Sequence, residues 1–211
     1  MTHAGGSYDC CDANAIAAMA EFERAAAVSS ADTLREASLP SVVVSVGSTP
    51  TAHFARDLSG VTEVRAGVFA FFDLIMAGIG VCEIDDIALS VASSVIGHRP
   101  EKGWIVVDAG WMAMSRDRGT ADQPIDQGYG IVCDIEGRPY GDLTMIKASQ
   151  EHGVLALRAG SGMKPPDLAL GKIVRILPNH ACATGAQHDA YHVVHAGARL
   201  VSEIWPRIRG W

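Results

Sequence analysis

The chain has 211 residues, of which 48% are hydrophobic and 19% charged, and its formal net charge is −7 at pH 7. This composition is that of a globular protein rather than a disordered one, and the acidic balance argues against nucleic acid, itself a polyanion, as a partner. No apolar run reaches the length that spans a bilayer, and the first residues lack the basic and apolar regions of a signal peptide.

The first predicted element is a helix over residues 12–38. Asp12 can cap it, and apolar residues recur behind it at helical spacing, namely Ile16, Met19, Phe22, Ala26 and Leu34. SVVVSV (41–46) is a β-branched run typical of a buried parallel strand, and the proline that follows favours a second helix over 51–58. VTEVR (61–65) predicts another strand, so the first 83 residues alternate between strand and helix.

From residue 84 the pattern changes to short apolar strands divided by Gly, Pro and Asp turns. These strands are IALSVASSVI, WIVVDAG, GYGIVCD, LTMIKAS, KIVRILP and YHVVHAG. Only the last segment, ARLVSEIWPRI (198–208), has helical spacing. The sequence therefore predicts an α/β part over 1–83, followed by a mainly antiparallel β domain over 84–211.

Two strand ends in the α/β part carry loops that suit an anion. GSTPT (47–51) offers a glycine that lets the backbone approach, two hydroxyls on Ser48 and Thr49, and the N–H groups of a helix start. RAG (65–67) ends the next strand in a similar way. Adjacent strand ends of this kind hold the cofactor phosphate in barrel enzymes, although either loop alone is more often an ordinary strand-to-helix turn.

A stretch near the end of the β part, PNHACATGAQHDAYHVV, gathers side chains that can bind a metal. If it is extended, His180 and Cys182 point to the same face, and an imidazole beside a thiolate is a good zinc pair. Two protein ligands leave positions open for water and substrate, as a Lewis-acid site requires. The alternative is a polar turn with an inert buried cysteine.

The five cysteines form no paired framework, which indicates a reduced, cytoplasmic protein.

Seven blocks of the sequence follow one another in a recognisable order. They are HAGGSY, SVGSTPT and EVRAGVFAFFD in the α/β part, then DAGWMAMSRDRGT, QGYG, SQEHG and PNHACATGAQHDAYHVV in the β part. Together they resemble the family of D-threonine aldolases and D-serine dehydratases, which has the alanine-racemase-like (fold type III) architecture. The resemblance covers essentially the whole chain. It implies an (α/β)8 barrel that holds pyridoxal 5′-phosphate at its mouth, joined to a β domain that carries a metal.

The resemblance also implies roles for residues of the α/β part. Thr49 and the Gly67–Val68 peptide would hold the phosphate of the cofactor. Ser48 would be a neighbour of that phosphate, and Tyr8 would contact the cofactor.

In the β part, the resemblance implies that His180 and Cys182 bind a divalent metal. A thiolate ligand favours zinc, with manganese or magnesium as alternatives. Glu151 and His152 resemble an active-site block of the family and are the candidate catalytic residues.

One residue of the family's pattern is missing. The cofactor lysine of the family lies in an H-x-K-T-like block on the first barrel strand, whereas the lysines here all lie in the β part: Lys102, Lys147, Lys164 and Lys172. A complete barrel takes about 250 residues, and only the first 83 could belong to one. We therefore expect the C-terminal strands of an incomplete barrel, from the C-terminal portion of a longer or split enzyme. A homodimer, or pairing with the missing segment, is the expected assembly.

The expected activity is the lysis of a small D-β-hydroxy-α-amino acid, with this chain alone inactive. The flanking blocks look more like D-threonine aldolase, which yields glycine and acetaldehyde, and this is the main prediction. The alternative is a D-serine or D-3-hydroxyaspartate dehydratase. An alternative of another class is an inactive metal-binding remnant or an interaction domain.

Overall fold

The computed structural model describes residues 1–195 and 198–208. The chain divides into two compact units, Met1–Asp86 and Ile87–Trp211. The boundary predicted from the sequence lies three residues earlier, between 83 and 84. Among the described residues, no helix is both long and apolar enough to cross a bilayer.

The first unit begins with the predicted long helix, α1 (Ala13–Glu36). The carboxylate of Asp12 accepts hydrogen bonds from the N–H groups of Asn14 and Ala15 at 2.8 and 2.9 Å, which satisfies donors that a helix start leaves unpaired. The buried face of α1 packs on the strand that follows through a small apolar cluster: Ala27, Ala31, Val44 and Val46.

Two short strands of the first unit are parallel, β1 (Ser45–Val46) and β2 (Glu63–Val64). The run predicted as a buried strand over 41–46 is therefore only partly so. Val42 and Val43 are 80% and 61% exposed, and β1 pairs with β2 alone among the described strands.

Helix α2 (Thr49–Phe54) follows β1, and helix α3 (Leu74–Gly78) follows β2. The predicted span of 51–58 for α2 is shifted, because Ser48 caps the helix and Pro50 occupies its first turn. The order strand, helix, strand, helix confirms the predicted α/β character of the first unit.

Six antiparallel strands of the second unit close into a barrel in the order β3-β4-β7-β6-β5-β8. The strands are β3 (Val91–Arg99), β4 (Trp104–Val107), β5 (Gly130–Cys133), β6 (Pro139–Ala148), β7 (Gly153–Leu157) and β8 (Ile173–Pro178). Alternate side chains point inward and form an apolar core that includes Val95, Leu143 and Leu155. The antiparallel β domain is thus confirmed. Its closure into a barrel was not predicted.

Two short helices and a hairpin complete the second unit. They are α4 (Trp111–Met114), α5 (Ala181–Ala186), β9 (Ala190–Val193) and β10 (Glu203–Pro206). The predicted helix over 198–208 is wrong, because β10 pairs antiparallel with β9 and places Ile204 opposite His192. Pro206 cannot donate a helical hydrogen bond, and Ile204 and Trp205 are 60% and 51% exposed rather than packed as a helical stripe.

Candidate functional site

The two predicted phosphate loops meet in the first unit. Because β1 and β2 are parallel, their carboxyl ends lie at the same edge, and each end leads into one loop. The N–H of Phe69 donates a hydrogen bond to Oγ1 of Thr49 at 3.2 Å, which joins the loop after β2 to the loop after β1. Thr49 and Val68 are both buried, at 3% and 8% exposure.

A glycine allows this close approach. Gly47 has φ +135°, and a Cβ at this position would lie 2.1 Å from the carbonyl oxygen of Arg65. No other residue type fits between β1 and the end of β2 without moving one of them. The sequence analysis assigned Gly47 to backbone approach, and the structure shows that the approaching group is the neighbouring strand.

Ser48 has a structural contact in addition to its predicted place beside the phosphate. Its Oγ accepts from the N–H of Thr51 at 3.4 Å and completes a capping box at the start of α2. The same Oγ lies 3.4 Å from Oγ of Ser7, which is fully buried in the 3-10 helix Gly5–Asp9. This contact brings the segment that carries Tyr8 beside the GSTPT loop.

Tyr8 is half-buried, and His3 links it to the GSTPT loop. The two rings are 6.2 Å apart between centroids, and Nδ1 of His3 donates to the carbonyl oxygen of Gly47 at 2.9 Å. All five residues predicted to contact the cofactor therefore surround the carboxyl ends of β1 and β2.

The surroundings of Gly67 fit a phosphate group. Apart from Gly67 and its two chain neighbours, no described residue has an atom within 4 Å of the position that a Cβ of Gly67 would take, so there is room for an anion beside the Gly67–Val68 peptide. The first unit contains no lysine, so it cannot supply the covalent attachment of the cofactor that the family uses.

In the second unit, the predicted placement of His180 and Cys182 on one face of a strand is wrong. Strand β8 ends at Pro178, His180 is the N-cap residue of α5 with φ −133° and ψ 106°, and Cys182 is the second residue of that helix. The hydroxyl of Thr184 in α5 donates to the carbonyl oxygen of Met114 at 2.5 Å, and this bond holds the helix on α4. The pair lies at a strand-to-helix junction, where Cys182 is exposed.

His180 contacts a carboxylate that the sequence analysis did not identify. Nδ1 of His180 lies 2.6 Å from Oδ2 of Asp117, and the two side chains are 34% and 49% exposed. Asp117 lies in the DAGWMAMSRDRGT block, 63 residues before its partner. A chemical rule could have pointed to a partner of this kind: a metal-binding histidine usually donates its other ring N–H to a carboxylate or a carbonyl group.

The donor atoms at this junction fit a divalent metal. An imidazole nitrogen and a thiolate sulfur are a zinc-type pair, and His180 has the carboxylate contact that usually orients such a ligand. Among the described residues, no cluster of three or more His, Cys, Asp or Glu side chains could hold a metal. If His180 and Cys182 bind a metal as predicted, they supply two ligands and leave positions for water and substrate.

The cysteines differ in their chemical state. Burial, together with the negative charges of Asp86, Asp73 and Glu83, raises the pKa of Cys82 to about 12. This thiol therefore remains protonated near neutral pH and is a poor metal ligand. Cys133 is fully buried in the barrel wall, whereas Cys182 is exposed at the start of α5.

Glu151 and His152 lie in the turn between β6 and β7, and both are exposed. The side-chain amide of Gln150 donates to the carboxylate of Glu151 at 3.4 Å. The same turn is bound to the start of α4, since the N–H of Trp111 donates to the carbonyl oxygen of Ser149 at 2.8 Å. The candidate catalytic turn and the metal pair are thus both held by α4.

Comparison with known proteins assigns the family. A family model described as "Putative serine dehydratase domain" matches residues 88–194, about half of the chain. The D-threo-3-hydroxyaspartate dehydratase of Delftia sp. strain HT23 is 55% identical over 100% of this chain and 56% of its own length. Its solved structure aligns with a TM-score of 0.91 over 100% of this chain and 55% of that one. Two variant structures of that enzyme replace a histidine and, two residues later, a cysteine by alanine, and the cysteine variant is in the metal-free form.

More distant relatives include both reaction types. The D-serine dehydratase of Dictyostelium discoideum is 29% identical over 97% of this chain and 52% of its own length. The D-threonine aldolase from Filomicrobium marinum is 28% identical, with a TM-score of 0.70 over 97% of this chain and 51% of that one. The chain spans about half the length of the relatives it matches.

These similarities correct the preference for the aldolase. The identity of 55% to a dehydratase exceeds the 28% to an aldolase, so the dehydratase alternative fits better than the main prediction. The family assignment itself is confirmed, and its named relatives are lyases. The chain belongs to the serine dehydratase domain family of the D-serine dehydratases and D-threonine aldolases.

Proposed function

We propose that this chain is the metal-carrying part of a pyridoxal-phosphate-dependent dehydratase that acts on D-3-hydroxyaspartate. The observation that carries the proposal is the pair of His180 and Cys182, with Asp117 bound to the imidazole, in a chain 55% identical to a D-threo-3-hydroxyaspartate dehydratase. The variants of that relative support it, because they alter a histidine and a cysteine at the same spacing and one of them is metal-free.

When bound, pyridoxal phosphate supplies an electron sink for the α-carbon of the substrate, and the metal supplies a Lewis acid for the β-hydroxyl. In this proposal Thr49 and the Gly67–Val68 peptide bind the phosphate, beside the capped start of α2 at Ser48. Tyr8 contacts the cofactor from the 3-10 helix Gly5–Asp9, which touches the GSTPT loop through Ser7 and Ser48.

The second unit would hold the β-hydroxyl through its metal. His180 and Cys182 are the ligands, and the sulfur donor favours zinc over manganese or magnesium. Glu151 and His152 are proposed to move protons, because each can exchange one and both lie on the turn fixed to α4. A substrate that must be held by both its β-hydroxyl and its α-carbon can react in one enantiomer only, and we propose that this is the D-form.

The proposed reaction is balanced without an oxidant or a reductant. Loss of the α-proton and of the β-hydroxyl releases water and leaves an enamine. The enamine tautomerises to an imine. Hydrolysis of this imine consumes one water and gives oxaloacetate and ammonia. Aldol cleavage of the same substrate would instead give glycine and glyoxylate.

We also propose that activity requires a segment that this chain does not contain. The first unit has no lysine for the cofactor, and the valine run before β1 exposes 80% of Val42 and 61% of Val43. Apolar side chains beside a strand with one neighbour are typical of an edge that another strand covers. Such a segment would supply the lysine and the further parallel strands of a barrel.

Product analysis after complementation tests the proposal. The chain is produced together with, or fused to, the part of the Delftia enzyme that it does not match, and D-threo-3-hydroxyaspartate is added with pyridoxal phosphate and zinc. We expect oxaloacetate and ammonia in equal amounts, no reaction with the L-form, and a loss of activity in His180→Ala. Glycine and glyoxylate would identify an aldolase, and no turnover by a folded complex would favour an inactive remnant.

A further inference from the structure

We infer that Asp117 is a positioning residue for the metal ligand His180, an inference that rests on the proposed metal role of His180 and Cys182. A carboxylate 2.6 Å from Nδ1 can only accept a hydrogen bond. The neutral imidazole must therefore carry its proton on Nδ1, which leaves the lone pair on Nε2 as the metal donor. In water, without such a partner, histidine has no constraint that selects this tautomer.

Asp117 lies in the loop between α4 and β5, residues 115–129. The residue next to His180, Asn179, holds this loop in place. Asn179 is 2% exposed, and its Nδ2 donates to Oγ1 of Thr120 and to the carbonyl oxygen of Gly128, both at 2.7 Å. Its Oδ1 accepts from the N–H of Thr120 at 3.3 Å. One buried side chain thus binds both the middle and the end of the loop, immediately before the ligand that the loop contacts.

The start of the same loop is held in an unusual backbone conformation. Ser115 ends α4 with φ 81° and ψ 173°, a region that is almost restricted to glycine and that costs free energy in any other residue. Its Oγ accepts from the N–H of Asp117 at 3.3 Å. The serine therefore fixes the turn that directs the loop, and its hydroxyl holds the residue that reaches His180.

The ligand helix is fixed against the same elements. The carbonyl oxygens of Met114 and Ala113 in α4 accept hydrogen bonds from the side chains of Thr184 and His188, which lie in and just after α5. Both sides of the Asp117–His180 contact are therefore bound to α4. This arrangement restricts the imidazole far more than a surface ion pair between two mobile side chains would.

A structural role alone explains the contact poorly. Asp117 is about half exposed, and ion pairs of that exposure contribute little to folding stability. The buried Asn179 clamp and the strained Ser115 would be a costly way to place an ordinary surface pair. They are instead what a ligand needs if its orientation is to be set before the metal arrives.

The tautomer of His180 can be measured in the metal-free chain. Nitrogen NMR of histidine-labelled protein, in mildly alkaline buffer where imidazole is neutral, distinguishes Nδ1–H from Nε2–H. The whole 211-residue chain is compared with Asp117→Ala, Asp117→Asn and Asp122→Asn, the last being a control that removes a charge from an exposed position on the same loop. His180→Ala identifies the signal.

We expect wild type and Asp122→Asn to show Nδ1–H, whereas Asp117→Ala shows a mixture or the other tautomer. Asp117→Asn should retain much of the Nδ1–H form, because its amide oxygen can still accept the bond. An unchanged tautomer in Asp117→Ala would overturn the inference, since a purely structural aspartate would leave the ring nitrogens as they are.

Zinc affinity by competition with a chelator provides the second measurement. Asp117→Ala should raise the dissociation constant about 10- to 100-fold, the usual effect of removing such a partner. Asp117→Asn should fall between it and wild type, and Asp122→Asn should match wild type. If wild type binds zinc and Asp117→Ala binds it equally well, the positioning role is refuted. If wild type and all variants fail to bind zinc, the proposed metal site itself fails.

Discussion

Replacement of Gly47 by alanine tests how the loops after β1 and β2 are held together. The φ of +135° costs a non-glycine residue roughly 1–3 kcal/mol. The added Cβ would also lie 2.1 Å from the carbonyl oxygen of Arg65, so β2 must move away from β1. That movement weakens the 2.8 Å bond from the Arg65 N–H to the carbonyl of Val46, which contributes about 1 kcal/mol. We expect the first unit to lose about 2–4 kcal/mol of unfolding free energy in total.

Urea denaturation followed by far-ultraviolet circular dichroism measures this loss, since the 24-residue α1 dominates the helical signal and lies in the first unit. Tryptophan fluorescence is the internal reference, because all four tryptophans lie in the second unit. Gly67→Ala is the matched control: its φ is −113°, and no described residue other than its two chain neighbours has an atom within 4 Å of its Cβ position. Its stability should change by less than about 1 kcal/mol. Equal stability of the two variants would show that the close approach at Gly47 does not require a glycine.

Two further variants test the clamp and the buried thiol. Asn179→Ala should lower the unfolding free energy of the second unit by roughly 2–3 kcal/mol, because it leaves buried partners unpaired; tryptophan fluorescence in urea measures it, and a change below about 0.5 kcal/mol would contradict the clamp. The raised pKa of Cys82 stabilises the fold below the ordinary thiol pKa of 9.0, and this contribution is lost as the pH rises towards about 12. Cys82→Ala should therefore lose less stability than wild type between about pH 8 and about pH 10.5, and parallel pH curves would argue against the shift.

Local patterns predicted the regular elements well where their physical cause is local. Helix α1 and its capping aspartate are confirmed. The apolar stripe is only partly so, because Ile16 is buried while Phe22 and Leu34 are 69% and 43% exposed, and alanines form most of the buried face. The strands of the second unit follow from apolar runs divided by turns. Closure of the barrel depends on pairing across a long sequence distance, such as Val91 opposite Ile176, and no local pattern encodes that contact. The helix predicted over 198–208 is wrong because the spacing of its apolar residues is helical, whereas pairing with β9 determines its structure.

The candidate site shows the same division. The blocks that resemble the family pointed to Thr49, His180 and Cys182, whose roles stay predictions. The parallel pairing of β1 with β2 does bring the loops after the two strands together. The predicted geometry of His180 and Cys182 was wrong. It assumed that the two residues alternate along a strand, whereas His180 is the N-cap of helix α5. Asp117 was missed since its contact with His180 joins distant parts of the chain.

Metal analysis of the purified chain tests whether His180 and Cys182 form a zinc site. After zinc loading and dialysis, wild type is compared with His180→Ala, with Cys182→Ala, and with His192→Ala as a control at an exposed position of strand β9. The proposed zinc site predicts about one tightly held zinc in wild type and in the control, and the loss of most of it in each ligand variant, because each side chain would supply one of two protein ligands. Undiminished zinc in Cys182→Ala would contradict it.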